Sequence, residues 1–171
     1  MDHIQIYRSP IGDLTLGSDG TSLIGLWING QKYEKNGLAE SYNEQNLPVF
    51  ALTENWLDLY FNGKVPDFTP PLSPRGTPFQ TMVWKILLSI PYGEHITYGK
   101  IARRIAEEKR LPHMSAQAVG GAVARNPISI IIPCHRVLGK DGSLTGYAGG
   151  IRKKEYLLAW EKAHLPSRTV K

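Results

Sequence analysis

Residues 66–78 read PDFTPPLSPRGTP and hold five of the chain's twelve prolines. Proline fixes φ and lacks an N–H, so this density excludes a helix or central strand and predicts an extended connection between two folded parts. The charge changes sign at the same place. Residues 1–75 carry five Lys or Arg against nine Asp or Glu, whereas residues 76–171 carry fifteen against six. The expected organisation is an N-terminal α/β support domain, 1–75, ending in this Pro-rich linker, and a basic domain, 76–171. Basic domains attract polyanions at long range, and nucleic acid is the commonest of them.

Toward the N-terminus, His3–Arg8, Leu14–Ser18 and Ser22–Ile28 alternate apolar and polar residues as strands do, with turn signals at 9–13 and at Asp19-Gly20. A small antiparallel sheet is predicted. Leu52, Trp56, Leu59 and Tyr60 then recur at helical spacing, and Asn62-Gly63 ends the run. No chemical motif stands out in this half, and its Trp and Tyr residues read as core.

Toward the C-terminus, Thr77-Pro78-Phe79-Gln80 is a capping box that opens a helix through about Ile90. Thr97 caps a second helix, Tyr98 to about Glu108, and Ser115 caps a third, running through Ala124. Two short helices around a turn predict a helix-turn-helix of winged-helix type, although 109–114 is longer than the usual turn. The fold class is therefore α+β: a small N-terminal antiparallel sheet with a helix, then a mainly helical C-terminal domain. Gly120 and Gly121 each destabilise the third helix by on the order of 1 kcal/mol, which marks close approach of another backbone, from protein or from DNA.

With 42% hydrophobic and 20% charged residues the chain is neither disordered nor fibrous. Its single cysteine, Cys134, excludes an intrachain disulfide and a Cys-rich zinc module, so no metal or cofactor is expected and a reducing, cytoplasmic setting is. The N-terminus does not read as a signal peptide, and the longest apolar run, near Ile130, is too short to span a bilayer, so no membrane partner is expected.

Ile128–Ile132 is β-branched and reads as a buried strand delivering Pro133-Cys134-His135-Arg136-Val137 at its end. A lone cysteine is most often an inert core residue. Here an imidazole stands beside it, able to take the thiol proton directly or through a water and leave a nucleophilic thiolate. That imidazole needs an orienting acceptor. Glu161, on a last helix from Arg152 to about Ala163, is the candidate because Leu157 and Leu158 dock that helix; alone it reads equally as a solvated charge. The same three residues also suit a hydrolase that forms an acyl-enzyme.

PCHRV at 133–137 and GSLTGYAGGIRKKEYLLAWE at 142–161 closely resemble the O6-alkylguanine-DNA alkyltransferases, or methylated-DNA-protein-cysteine methyltransferases. The likeness extends to GTPFQTMVWKILLSIPYGEHITYGKIA from Gly76, AVGGAVARNP from Ala118 and, more loosely, LDLYFNG from Leu57. It implies direct-reversal repair of double-stranded DNA carrying O6-alkylguanine, with O4-alkylthymine as a second substrate left open, by a monomer that acts once. It further implies that Cys134 accepts the alkyl group, His135 is the water-mediated base, Glu161 orients it and Asn126 braces the recognition helix against the active-site loop. Tyr98 would hydrogen-bond the extruded guanine, while Tyr147, Ala148, Gly149 and Val137 would line its pocket. The Ala148 N–H would address O6, and the carbonyls of Cys134 and Val137 would receive the guanine amino group. Ser115, Gln117, Ala118, Gly120, Gly121, Val123 and Arg125 would face DNA.

Two departures stand out. Gln117 occupies the position where many members carry an arginine that fills the vacated stack, and 111–115 lengthens the turn before the recognition helix. The N-terminal zinc site of some members has no cysteines here. A member that binds lesions without repairing them would lack the acceptor cysteine, so Cys134 argues against a silent DNA-binding module.

Overall fold

The alternating residues of the first 28 positions form three antiparallel strands, β1 (Asp2–Ser9), β2 (Gly12–Ser18) and β3 (Leu23–Ile28), in a computed structural model that describes residues 1–39 and 42–166. A fourth strand, β4 (Tyr42–Glu44), pairs parallel to β1, so the sheet is mixed, with order β3-β2-β1-β4. Three polar residues carry no alternation from which to predict it. Helix α1 (Pro48–Phe61) packs on the sheet through Val49, Phe50, Thr53, Trp56, Leu57 and Tyr60. Leu52, predicted to face inward, is exposed. The large rings of Phe50, Trp56 and Tyr60 bury more area than Leu52 would and set the rotation of the helix.

The proline-rich segment is not a free spacer. Leu23 N–H donates to Pro71 O and Ser73 N–H to Leu23 O, each at 2.8 Å, which joins Leu72 to β3. Just beyond, Arg75 forks onto both oxygens of Asp2 at 2.7 and 2.9 Å. One contiguous buried cluster runs from Leu14, Leu16 and Leu26 in the sheet to Val83, Ile101, Val119 and Leu157 in the second half.

That half follows its capping signals. Thr77 and Gln80 complete the capping box of α2 (Pro78–Leu88), Thr97 accepts from Lys100 N–H at the start of α3 (Tyr98–Glu108), and Ser115 accepts from Ala118 N–H at the start of α4 (Ala116–Ala124). Helices α3 and α4 pack together as the helix-turn-helix, and Trp84 Nε1–H donates to Ala122 O at 2.9 Å, holding α4 on α2. Two short parallel strands, β5 (Ile96–Thr97) and β6 (Val137–Leu138), link the start of α3 to the chain leaving Cys134. The last helix is α5 (Ile151–Ala163). Among the described residues no helix is long and apolar enough to cross a membrane.

Ile128–Ile132 is buried as expected but is not a strand. Only Ile128 bridges β3, at Leu26, and Ile130 adopts φ +71°, a strained value for a β-branched residue. The reason lies in Asn126. Its side chain accepts from Ile128 N–H at 3.0 Å and donates to Ile132 O at 2.8 Å, satisfying locally the groups a ladder would have paired.

Candidate active site

Cys134 opens a single 3-10 turn, Cys134–Arg136, directly after the Asn126-braced segment. Burial pushes its thiol pKa up, against opposing pulls from the Asn126 side chain, the Lys154 cation and the nearby backbone. His135 is fully buried in the same turn and presents Nε2 to Glu161 Oε2 at 2.5 Å. Its other nitrogen, Nδ1, has no hydrogen-bond partner among the described residues. Burial pushes the imidazole pKa down, and Glu161 only partly offsets this, so the ring is neutral near pH 7.

Glu161 is not a surface charge: it is 1% exposed. Beside His135 it accepts from Arg136 Nε at 2.8 Å and Nη2 at 3.2 Å, Tyr60 Oη at 2.7 Å and Gly93 N–H at 3.1 Å. Burial alone would raise its pKa, but His135 and Arg136 outweigh it and hold the carboxyl well below the usual carboxylate range. The result is a fixed anion behind an imidazole whose remaining nitrogen is free to receive a proton.

Around the thiol, Tyr147 is buried, and Tyr98 donates its hydroxyl to Thr145 O at 3.1 Å. Ala148 O accepts from Lys32 N–H at 3.0 Å. A Cβ on Gly149 would lie 2.7 Å from both Ile28 and the Tyr147 ring, so only glycine fits between them. Val137 O accepts from Lys154 Nζ at 2.5 Å; a second lone pair remains for another donor.

Lys154 went unread in the sequence, hidden in Arg152-Lys153-Lys154 as an apparent surface charge run. It is fully buried and also donates to Thr145 O at 2.8 Å. A signal existed: Lys154, Leu157 and Glu161 stand at i, i+3 and i+7, on one face of α5.

The helix-turn-helix borders an open groove of about 1370 Å³, lined by Tyr98, Arg103, Arg110, Gln117, Gly120 and Gly121 among others. Gln117 and Ala118 are exposed, Ser115 is half-buried, and Arg125, at the C-terminal end of α4, lies over the Tyr33 ring at 4.5 Å. Gly121 would meet nothing within 4 Å with a Cβ added, and Gly120 only the Tyr98 ring at 3.8 Å, so no packed helix accounts for the pair. Val123 is corrected: at 2% exposure it belongs to the core, because its position on α4 points toward α2 and α3 rather than the groove. Among the described residues no group of His, Cys, Asp or Glu could hold a metal ion.

With this geometry in hand, comparisons with known proteins decide the family. Residues 78–163 match the 6-O-methylguanine DNA methyltransferase DNA binding domain, and residues 3–74 match the ribonuclease-like domain of the same proteins. The chain belongs to the 6-O-methylguanine DNA methyltransferase family. A methylated-DNA--protein-cysteine methyltransferase of Haemophilus influenzae is 46% identical over 91% of this chain and 84% of its own. The crystal structure of the Mycobacterium tuberculosis O6-methylguanine methyltransferase superposes with a TM-score of 0.82 at 43% identity, covering 98% of this chain and 96% of that one. The M. tuberculosis OGT in complex with DNA gives 0.81 at 42% identity, covering 96% of both chains. Cys134, His135, Asn126, Glu161 and the whole of α3 and α4 lie within residues 78–163, the stretch that matches the DNA binding domain.

Proposed function

We propose that this protein repairs DNA by direct reversal, moving a methyl or larger alkyl group from O6-alkylguanine to Cys134 in one stoichiometric event. The observation that carries this reading is a buried thiol in the same turn as a neutral imidazole, which has one free nitrogen and is held by a carboxylate fixed by Arg136. The M. tuberculosis relative seen with DNA supports a DNA partner.

The alkyl oxygen sits inside a stacked duplex, so the nucleotide first leaves the stack. Gln117, Ala118, Gly120 and Gly121 suit a helix face lying close in a groove, and the first turn of α4 offers N–H groups to phosphate. Cys134 then passes its proton through a water to His135 Nδ1, which has no partner of its own among the described residues, since Nε2 is committed to Glu161, and the positive ring is balanced by the carboxylate. The Lys154 cation favours the thiolate. Sulfur attacks the alkyl carbon in line, the carbon–oxygen bond breaks, and its electron pair leaves with guanine O6. The hydroxyl of Tyr98 stabilises the departing base by exchanging its Thr145 contact for one to guanine. The thioether formed has no leaving group that water can displace, so the protein is consumed.

In this reading residues 76–171 bind and repair DNA, residues 1–75 support them, and the free thiol suits a reducing cytoplasm. Intact-protein mass after incubation with an O6-methylguanine duplex tests the proposal. One methyl adduct on Cys134, absent from Cys134→Ser, is expected. An unchanged mass, or several turnovers per molecule, overturns it, the latter in favour of a Cys-His-Glu hydrolase.

A further inference from the structure

The N-terminal half carries no motif, yet one of its side chains reaches the relay. Tyr60, at the end of α1, is fully buried, and its hydroxyl donates to Glu161 Oε2 at 2.7 Å, the same oxygen that meets His135 Nε2. Its main-chain oxygen accepts from Trp160 Nε1–H at 2.8 Å, so both ends of the residue are fastened to α5. The ring stacks on Trp56 at 5.4 Å and meets Phe61 and Tyr92 edge-on, which fixes the direction of the hydroxyl.

We propose that Tyr60 is a positioning residue of the alkyl-transfer site, one that restrains the pull of Glu161 on His135 and so sets the pH at which Cys134 becomes nucleophilic. This rests on the repair reading above and adds a residue from the other half of the chain to it.

The groups facing Glu161 divide unequally between its oxygens. Oε1 is held by Arg136 Nε and Gly93 N–H, whereas Oε2 is shared among Tyr60 Oη, His135 Nε2 and the longer Arg136 Nη2 contact. Tyr92, from the turn after α2, lies against Tyr60 and Arg136, but its hydroxyl has no hydrogen-bond partner among the described residues. Lys154, on α5 itself, adds a cation whose field disfavours protonated His135. Tyr60 is therefore the neutral donor that competes with His135 for one oxygen. Burial and the Glu161 charge push its phenol pKa far up, so it donates at every accessible pH. A carboxylate oxygen that already accepts a strong O–H bond has less charge to offer a second donor. Removing that bond concentrates the charge on His135, makes the imidazole more basic and favours the thiolate–imidazolium pair. The sign is opposite to that of removing Glu161.

The test uses the full chain and free O6-benzylguanine, with the benzyl adduct followed by intact mass across a pH series. Tyr60→Phe is expected to lower the pH of half-maximal rate by roughly half a unit, hence to react about threefold faster on the acidic limb. Fluorotyrosine at position 60, a stronger donor of nearly the same shape, moves the midpoint upward. Trp160→Phe breaks the neighbouring bond to Tyr60 O without touching Glu161 and keeps the wild-type midpoint. An unmoved midpoint in both Tyr60 variants, or an equal shift in Trp160→Phe, overturns the proposal and leaves Tyr60 as packing. A wild-type protein that gains no adduct at any pH overturns the repair reading instead.

Discussion

Arg136 grips both oxygens of Glu161, with Nε 2.8 Å from Oε1 and Nη2 3.2 Å from Oε2, while Nη1 donates to Ile90 O at 2.7 Å. The fork closes the acid against rotation and ties it to the end of α2. Arg136→Met leaves Glu161 buried without its cation and Ile90 O without its donor. We expect a loss of about 3–5 kcal/mol in unfolding free energy, measured by urea titration. Arg136→Lys keeps the charge but not the fork, and recovers only part of the loss.

Glu161→Gln keeps the shape of the acid and removes its charge. The imidazole then loses its balancing anion, so alkylation slows at neutral pH, by roughly tenfold or more, and the rate profile moves upward in pH. Rates with free O6-benzylguanine measured across pH check this. An unmoved profile would separate Glu161 from the chemistry.

Asp2 is held below the ordinary carboxylate range chiefly by the Arg75 hydrogen bonds, with burial opposing and the Ala39 N–H helping. A folded-state pKa below the unfolded value adds stability above that value, and this stability disappears as pH falls through the folded one. Wild-type protein therefore loses on the order of 1 kcal/mol on acidification below about pH 4 from this pair, a modest figure because Arg75 is 44% exposed. Asp2→Asn lacks that portion of the acid slope in thermal unfolding followed against pH.

Gln117, at the position where the family resemblance implies an arginine, stands exposed at the groove. A neutral amide fills a vacated stack and hydrogen-bonds the orphaned base, yet forgoes phosphate attraction and cation–π stacking. Gln117→Ala should slow transfer from duplex DNA by roughly tenfold and leave the reaction with free O6-benzylguanine unchanged, since a free base needs no extrusion. Gln117→Arg should hold or improve duplex repair. Equal losses on both substrates would assign Gln117 to the pocket instead.

What the sequence made legible was local. Thr77, Thr97 and Ser115 announce their helices because a cap is a contact with a neighbour three residues away, and PCHRV announces its chemistry because thiol and imidazole are adjacent. What stayed hidden depends on distant residues. Tyr60 reads as core, and is core, but its hydroxyl meets an acid 101 residues later. Ile128–Ile132 has the composition of a strand, and only the reach of Asn126 turns it into a braced loop. Val123 fits the small-residue pattern of the groove helix but falls on its inner face, a matter of a quarter turn.

The edge of β3 is occupied twice, by Leu72 from the proline-rich segment and by Ile128 from the segment that leads to Cys134. Leu26 N–H donates to Pro127 O at 2.8 Å, and Leu26 O accepts from Ser129 N–H at 2.9 Å. An unprotected strand edge is a template for pairing with another chain, and here the catalytic loop itself serves as the cover. Any change that displaces this loop, whether a core mutation or an adduct too bulky for the pocket, strips the cover from an apolar strand. Damage to the site then becomes a problem of self-association, visible as light scattering before any loss of helix signal, and the molecules that have lost their chemistry are the first to leave solution.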